Sequence, residues 1–110
     1  MIRSLKSKEK IKTLFEKGST IKAKGLLLKT HPFKDGEIKF GVSVSKKLFS
    51  SAVERNLIKR RLREQIMSSG FLKNFSKGTS FFVVYGAKSV FSSKEINDGL
   101  KELTKKHDPS

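Results

Sequence analysis

The chain has 110 residues, 35% of them hydrophobic, which is apolar material for a single domain over 1–110 and not for two cores. Lys and Arg number 25 against 10 Asp and Glu, for a formal net charge of +15; such a surface self-repels and is expected to carry a polyanion, nucleic acid before an anionic membrane. The absence of cysteine excludes disulfides and thiolate zinc sites and fits a reducing compartment.

The opening residues, Met1 to Lys8, have no apolar core of signal-peptide length, and no later run approaches the roughly 20 apolar residues of a membrane span. A soluble, cytoplasmic protein without a membrane partner is therefore expected. The first helix is predicted from Ser7 to Lys17. Ser7 caps it, Ile11, Leu14 and Phe15 share a face, and Gly18 supplies a left-handed stop. Thr20 to Thr30 and Glu37 to Ser45 read as antiparallel strands around a hairpin loop, His31 to Gly36, in which Pro32 and Asp35-Gly36 are turn chemistry. Gly25 either splits the first strand in two or marks a bulge. In the second, Phe40, Val42 and Val44 alternate with Gly41, Ser43 and Ser45, giving one buried face and one small, polar face.

A basic helix follows over roughly Ser51 to Ser69 and ends at Gly70, with Phe71 to Lys77 as a connector. Thr79 to Tyr85 is the most apolar strand, which predicts burial on both faces. Ser92 and Glu95 form a capping box for a last helix with Ile96, Leu100 and Leu103 inward, and the polar tail 105–110 is expected to fray. The order is helix, two or three strands, helix, strand, helix. That is an α+β fold with helices packed on one four-stranded sheet. The connection from the second strand through the basic helix to the third can be a parallel crossover, right-handed by the general rule.

The run from Glu54 to Glu64 carries the chemistry. At about 100° per residue, Ile58, Leu62 and Ile66 form an apolar line, while Asn56, Lys59, Arg60 and Arg63 fall on an adjoining stripe. Guanidinium forks suit phosphate oxygens, and an amide can hydrogen-bond sugars and bases. A solvated helix face neutralised by Glu54 and Glu64 is the plainer alternative, but two carboxylates do not offset these cations. Lys46 and Lys47 close the preceding strand and would join the same field if the strand end meets the helix start. Catalytic apparatus is not expected in the protein. His31 and His107 are too poorly placed to share one phosphate, and there is no phosphate loop, nucleophile elbow or carboxylate cluster for a metal.

Gly41 to Lys47, Ala52-Val53 and the spacing Arg55-Asn56-x-x-Lys59-Arg60-x-x-Arg63 resemble the bacterial ribonuclease P protein component, and the likeness runs from Phe15-Glu16-Lys17-Gly18-Ser19 to the final helix. The resemblance implies a ribosomal protein S5 domain 2-like topology with a left-handed crossover, against the general rule. It implies the protein subunit of a ribonucleoprotein whose RNA removes the 5′ leader of precursor tRNA by phosphodiester hydrolysis. Lys46, Lys47, Arg55, Asn56, Lys59, Arg60 and Arg63 would then face the catalytic RNA. The leader would lie along Ile11, Phe15, Lys29, Ser43 and Ser45. Many members place two aromatics four residues apart on the first helix and one on a strand; here those positions are Ile11, Phe15 and Lys29, which shifts leader binding from stacking toward charge. Mg²⁺ is implied as the working ion, held mainly by RNA and substrate phosphates through water. A ribosomal or other structural RNA-binding protein would present the same surface without attached catalysis. A DNA-binding module would need an exposed recognition helix, whereas this basic helix runs into a buried strand.

Overall fold

The computed structural model describes residues 2–4, 8–34, 36, 38–75 and 78–106. In chain order the elements are Ile2–Ser4 (β1), Lys8–Lys17 (α1), Ser19–Ala23 (β2), Leu26–Pro32 (β3), Ile38–Val44 (β4), Ala52–Ser68 (α2), Thr79–Tyr85 (β5) and Ser93–Lys106 (α3). A short 3₁₀ turn, Phe71–Asn74, occupies part of the expected connector. The expected Ser7 cap, Asp35, Glu37, the end of the connector at Lys77, and the tail from His107 onward lie outside the described residues.

The α+β class and the four predicted strand regions are present in one sheet, ordered β1-β4-β5-β3-β2. A fifth strand, β1, joins the edge in parallel with β4, pairing Ile2 with Ile38 and Ser4 with Phe40. The pairing of β3 with β4 expected from the turn signals does not form. β5 lies between them, antiparallel to β3 and parallel to β4. Its Phe81, Val83 and Tyr85 are wholly buried, and a strand this apolar gains most where neighbours cover it on both edges. The connection β4–α2–β5 is thus the expected parallel crossover.

The true hairpin is β2–β3. Lys24 and Gly25 both have positive φ, at 45° and 77°, the two-residue turn whose twist matches paired strands, so Gly25 splits the first predicted strand in two, as one of its two readings has it, and is not a bulge. β3 continues to Pro32 and takes His31 into the sheet. Pro32 is tolerated because β2 ends its pairing at Thr30, beyond which no ladder partner needs the missing N–H. Gly18 does not adopt the left-handed conformation expected of it. It is required by space, since a Cβ there would overlap the carbonyl of Leu14 and lie 2.7 Å from that of Thr30.

On one face of the sheet α2 contributes Ile58, Leu62 and Ile66, and α3 contributes Ile96, Leu100 and Leu103, all buried as their periodicity requires. Phe81 stacks between Phe75, at 4.2 Å, and Phe40, at 5.3 Å. Ser51 caps α2 by accepting the amide of Glu54. Ser92 and Glu95 close the reciprocal box at α3, at 3.1 and 3.2 Å. Strand alternation puts Phe82 on the opposite face, where it meets Phe15 at 5.4 Å, so α1 packs there with Leu14 as its buried anchor. The outer side of β5 is accordingly only partly covered at Phe82 and Val84.

Candidate nucleic-acid interface

The basic run of α2 divides into cations that face out and cations that serve the fold. Asn56, Arg60 and Arg63 are exposed and Lys59 is partly buried, all on the stripe beside Ile58, Leu62 and Ile66. Arg60 Nε lies 3.9 Å from Glu64 Oε1, a loose exposed pair one turn apart that holds neither side chain firmly. Among the described residues, no hydrogen bond or ion pair engages the charged ends of Lys59 and Arg63. Arg61 turns away: its Nη1 donates to the carbonyl of Phe91 at 2.7 Å and ties α2 to the segment leading into α3.

Arg55 also turns inward. Its Nη1 donates to the carbonyls of Phe49, at 2.7 Å, and Ser50, at 3.0 Å, in the segment entering α2. That segment is closed at its other end by Ser45, whose Oγ accepts the amide of Lys47 and whose carbonyl accepts that of Phe49, both at 3.1 Å. Phe49 is buried against Tyr85. Lys46 and Lys47 stand exposed on the turn, and the bonds of Arg55 to Phe49 and Ser50 hold that turn against the start of α2.

A second surface lies beside α1, on the other side of the sheet. The sheet register places Lys29, Phe82 and Gly41 side by side, with Leu27, Val84 and Ser43 as the next row toward the end of β4. Phe15 is 38% exposed and Ile11 partly buried, so the burial expected of a core residue falls to Leu14 instead. The Lys29 ammonium lies 5.5 Å from the centre of the Phe15 ring and donates to Thr20 Oγ1 at 2.9 Å and to the Phe15 carbonyl at 3.4 Å. It braces that ring from one side while Phe82 meets it from another. A Cβ at position 41 would overlap Phe82, so Gly41 is what lets that ring lie across β4.

Sequence reasoning placed Lys29 where a strand aromatic was sought and missed Phe82, its register neighbour. The signal was the parity of β5, in which Phe82 alternates with Phe81 and Val83. Ser43 lies on this surface, whereas the hydroxyl of Ser45 serves the lysine-bearing turn. His31 meets Phe33 edge-on at 4.6 Å. Among the described residues no three of His, Asp and Glu converge, and on the α2 stripe the ammonium and guanidinium groups have no lone pair to offer a metal ion, which leaves the Asn56 amide oxygen as its one hard donor. No helix of the described residues is long and apolar enough to cross a membrane.

The family model described as ribonuclease P matches residues 2–108 of the chain. The ribonuclease P protein component of Clostridium kluyveri is 30% identical over 103 residues, 93% of this chain and 91% of that protein. The structure of the Staphylococcus aureus RNase P protein superposes with a TM-score of 0.76 at 25% identity, over 94% of this chain and 92% of that one. The Thermotoga maritima RNase P protein shares the fold, with a TM-score of 0.77 at 19% identity over 96% and 97% of the two chains.

Proposed function

The chain belongs to the ribonuclease P protein family, and on that premise we propose that it binds the catalytic RNA through α2 and the turn before it, and the 5′ leader of precursor tRNA beside α1. The observation that carries this reading is the α2 stripe. Asn56, Lys59, Arg60 and Arg63 line one side of a helix whose other side is sealed into the core, and Lys46 and Lys47 extend the field across the lead-in turn. Cations so arranged neutralise RNA phosphates and release their counterions. Positioning and charge neutralisation lower the barrier without a protein acid or base.

The phosphodiester hydrolysis belongs, in this reading, to the RNA subunit. Mg²⁺ is held by RNA and substrate phosphates, and no step of the protein's action runs through it. On the α1 side, Phe15 and Phe82 offer ring faces to an unpaired base, Ile11 adds apolar contact, and Lys29 and Ser43 line the same strip. The two surfaces meet where β4 passes through the Ser45–Lys47 turn into α2, so one RNA assembly can engage both. The test is reconstitution with the ribonuclease P RNA of the same genome and a precursor tRNA at low Mg²⁺. Added protein should raise cleavage and favour precursor over mature tRNA. Equal cleavage with and without protein across a range of Mg²⁺ would refute the proposal.

A further inference from the structure

Arg55 opens the most specific motif in the sequence, yet it does not share the outward stripe. It stands seven residues before Leu62, two helical turns less about 20°, and so projects from the same line as the buried residues. A cation in the first turn also opposes the positive end of the helix dipole. The carbonyls of Phe49 and Ser50, at 2.7 and 3.0 Å from Nη1, compensate it locally. Those carbonyls belong to a turn held at three further points: Ser45 Oγ on the Lys47 amide, Ser45 carbonyl on the Phe49 amide, and the Phe49 ring against Tyr85. The residues left exposed on that turn are Lys46, Lys47, Leu48 and Ser50, and only the two lysines among them carry charge.

We propose that Arg55 is a positioning residue: it clasps the 45–51 turn into the shape that presents Lys46 and Lys47 to RNA, and it is not itself a phosphate ligand. A turn ordered before binding loses less conformational freedom when RNA arrives, which is how a partly buried guanidinium that touches no RNA raises affinity. The inference rests on reading α2 and its lead-in as the RNA face, and the experiment separates the two.

Affinity for the same genome's ribonuclease P RNA is measured for R55A, R55K, K46A/K47A, the triple variant R55A/K46A/K47A, and R63A. R55A and R55K should each weaken binding on the order of tenfold, the scale of one charge-assisted hydrogen bond. In the K46A/K47A background, R55A should change affinity less than about twofold, because what it positions is gone. Amide exchange of Lys47 and Phe49 in the free protein should accelerate in both Arg55 variants. If R55A melts the protein, R55K and S45A carry the same comparison, since each loosens the turn without removing a side chain from the core. An equal loss from R55A in both backgrounds, wild-type binding by R55K, or unchanged exchange would overturn the clasp. Wild-type binding by both K46A/K47A and R63A would instead bring down the RNA-face reading, and with it the clasp's role.

Discussion

Leu14 and Phe15 are chain neighbours with opposite fates, and the difference decides what each substitution should do. Leu14 is fully buried between α1 and the sheet, so Leu14→Ala should cost about 2–5 kcal/mol in thermal unfolding, the usual range for such a cavity. Phe15 keeps more than a third of its surface and only leans on Phe82 and Lys29. Phe15→Ala should leave assembly with the catalytic RNA intact and weaken precursor but not mature tRNA, by up to about 1–3 kcal/mol for one lost stack. Equal weakening of both substrates would place the leader elsewhere. Tyr85 presents a different case. Its hydroxyl donates to the Ser89 carbonyl and accepts the Phe91 amide at 2.8 Å. Burial raises its pKa above the ordinary tyrosine value, with Glu95 adding to the rise and the Phe91 amide and Arg61 opposing it. A raised folded-state pKa gives stability that is full below the unfolded value near 10 and is lost as pH rises through the folded one. Tyr85→Phe should therefore be less stable at neutral pH, by about 1–3 kcal/mol for the stranded amide, and should lose less on going above pH 10 than the wild type does. Paired denaturation curves at the two pH values measure both.

At the scale of the element, α2 shows how one charged run divides its labour. Its apolar line was readable from spacing, and so was the outward stripe, because both depend only on the helical repeat. The inward turn of Arg61 was not readable, since its acceptor, the Phe91 carbonyl, lies thirty residues away in the chain. The two arginines should separate cleanly in experiment. Arg61→Ala should lower thermal stability by about 1–3 kcal/mol and leave RNA affinity of the folded protein nearly unchanged. Arg63→Ala should do the reverse, keeping the melting temperature while reducing the salt slope of RNA binding by about one. A stability loss from Arg63→Ala would return that residue to the fold. In the sheet, β5 owes its central place to its composition, and its parity places Phe81 in the core and Phe82 on the open strip.

For the whole molecule, a formal charge of +15 is carried on a body only 36 × 28 × 23 Å across. Such density makes affinity for RNA strongly dependent on salt. If six to ten phosphates are engaged, binding should fall on the order of 10³–10⁵-fold between about 50 and 200 mM salt. A flat plot of log affinity against log salt would remove electrostatics as the basis of binding. The two candidate surfaces lie on opposite sides of the sheet yet share the border formed by the end of β4 and the turn into α2.

What the amino-acid order determined by itself is the set of local structures: the apolar line of Ile58, Leu62 and Ile66, the Ser92–Glu95 box, the alternation in β4 and the cationic stripe. Each depends on residues within one or two turns of each other, so spacing and side-chain chemistry suffice. Strand partnership was decided only by the tertiary structure. Turn residues between β3 and β4 suggested a hairpin, but the most apolar strand, far along the chain, took the place between them. The same holds for the candidate site. Phe82 reaches Phe15 because β5 sits beside a glycine in β4, and Arg55 finds its carbonyls because Phe49 is anchored on Tyr85. Those contacts join segments that only the packed core brings together, where burial of the most apolar surface outweighs the preferences of any single turn.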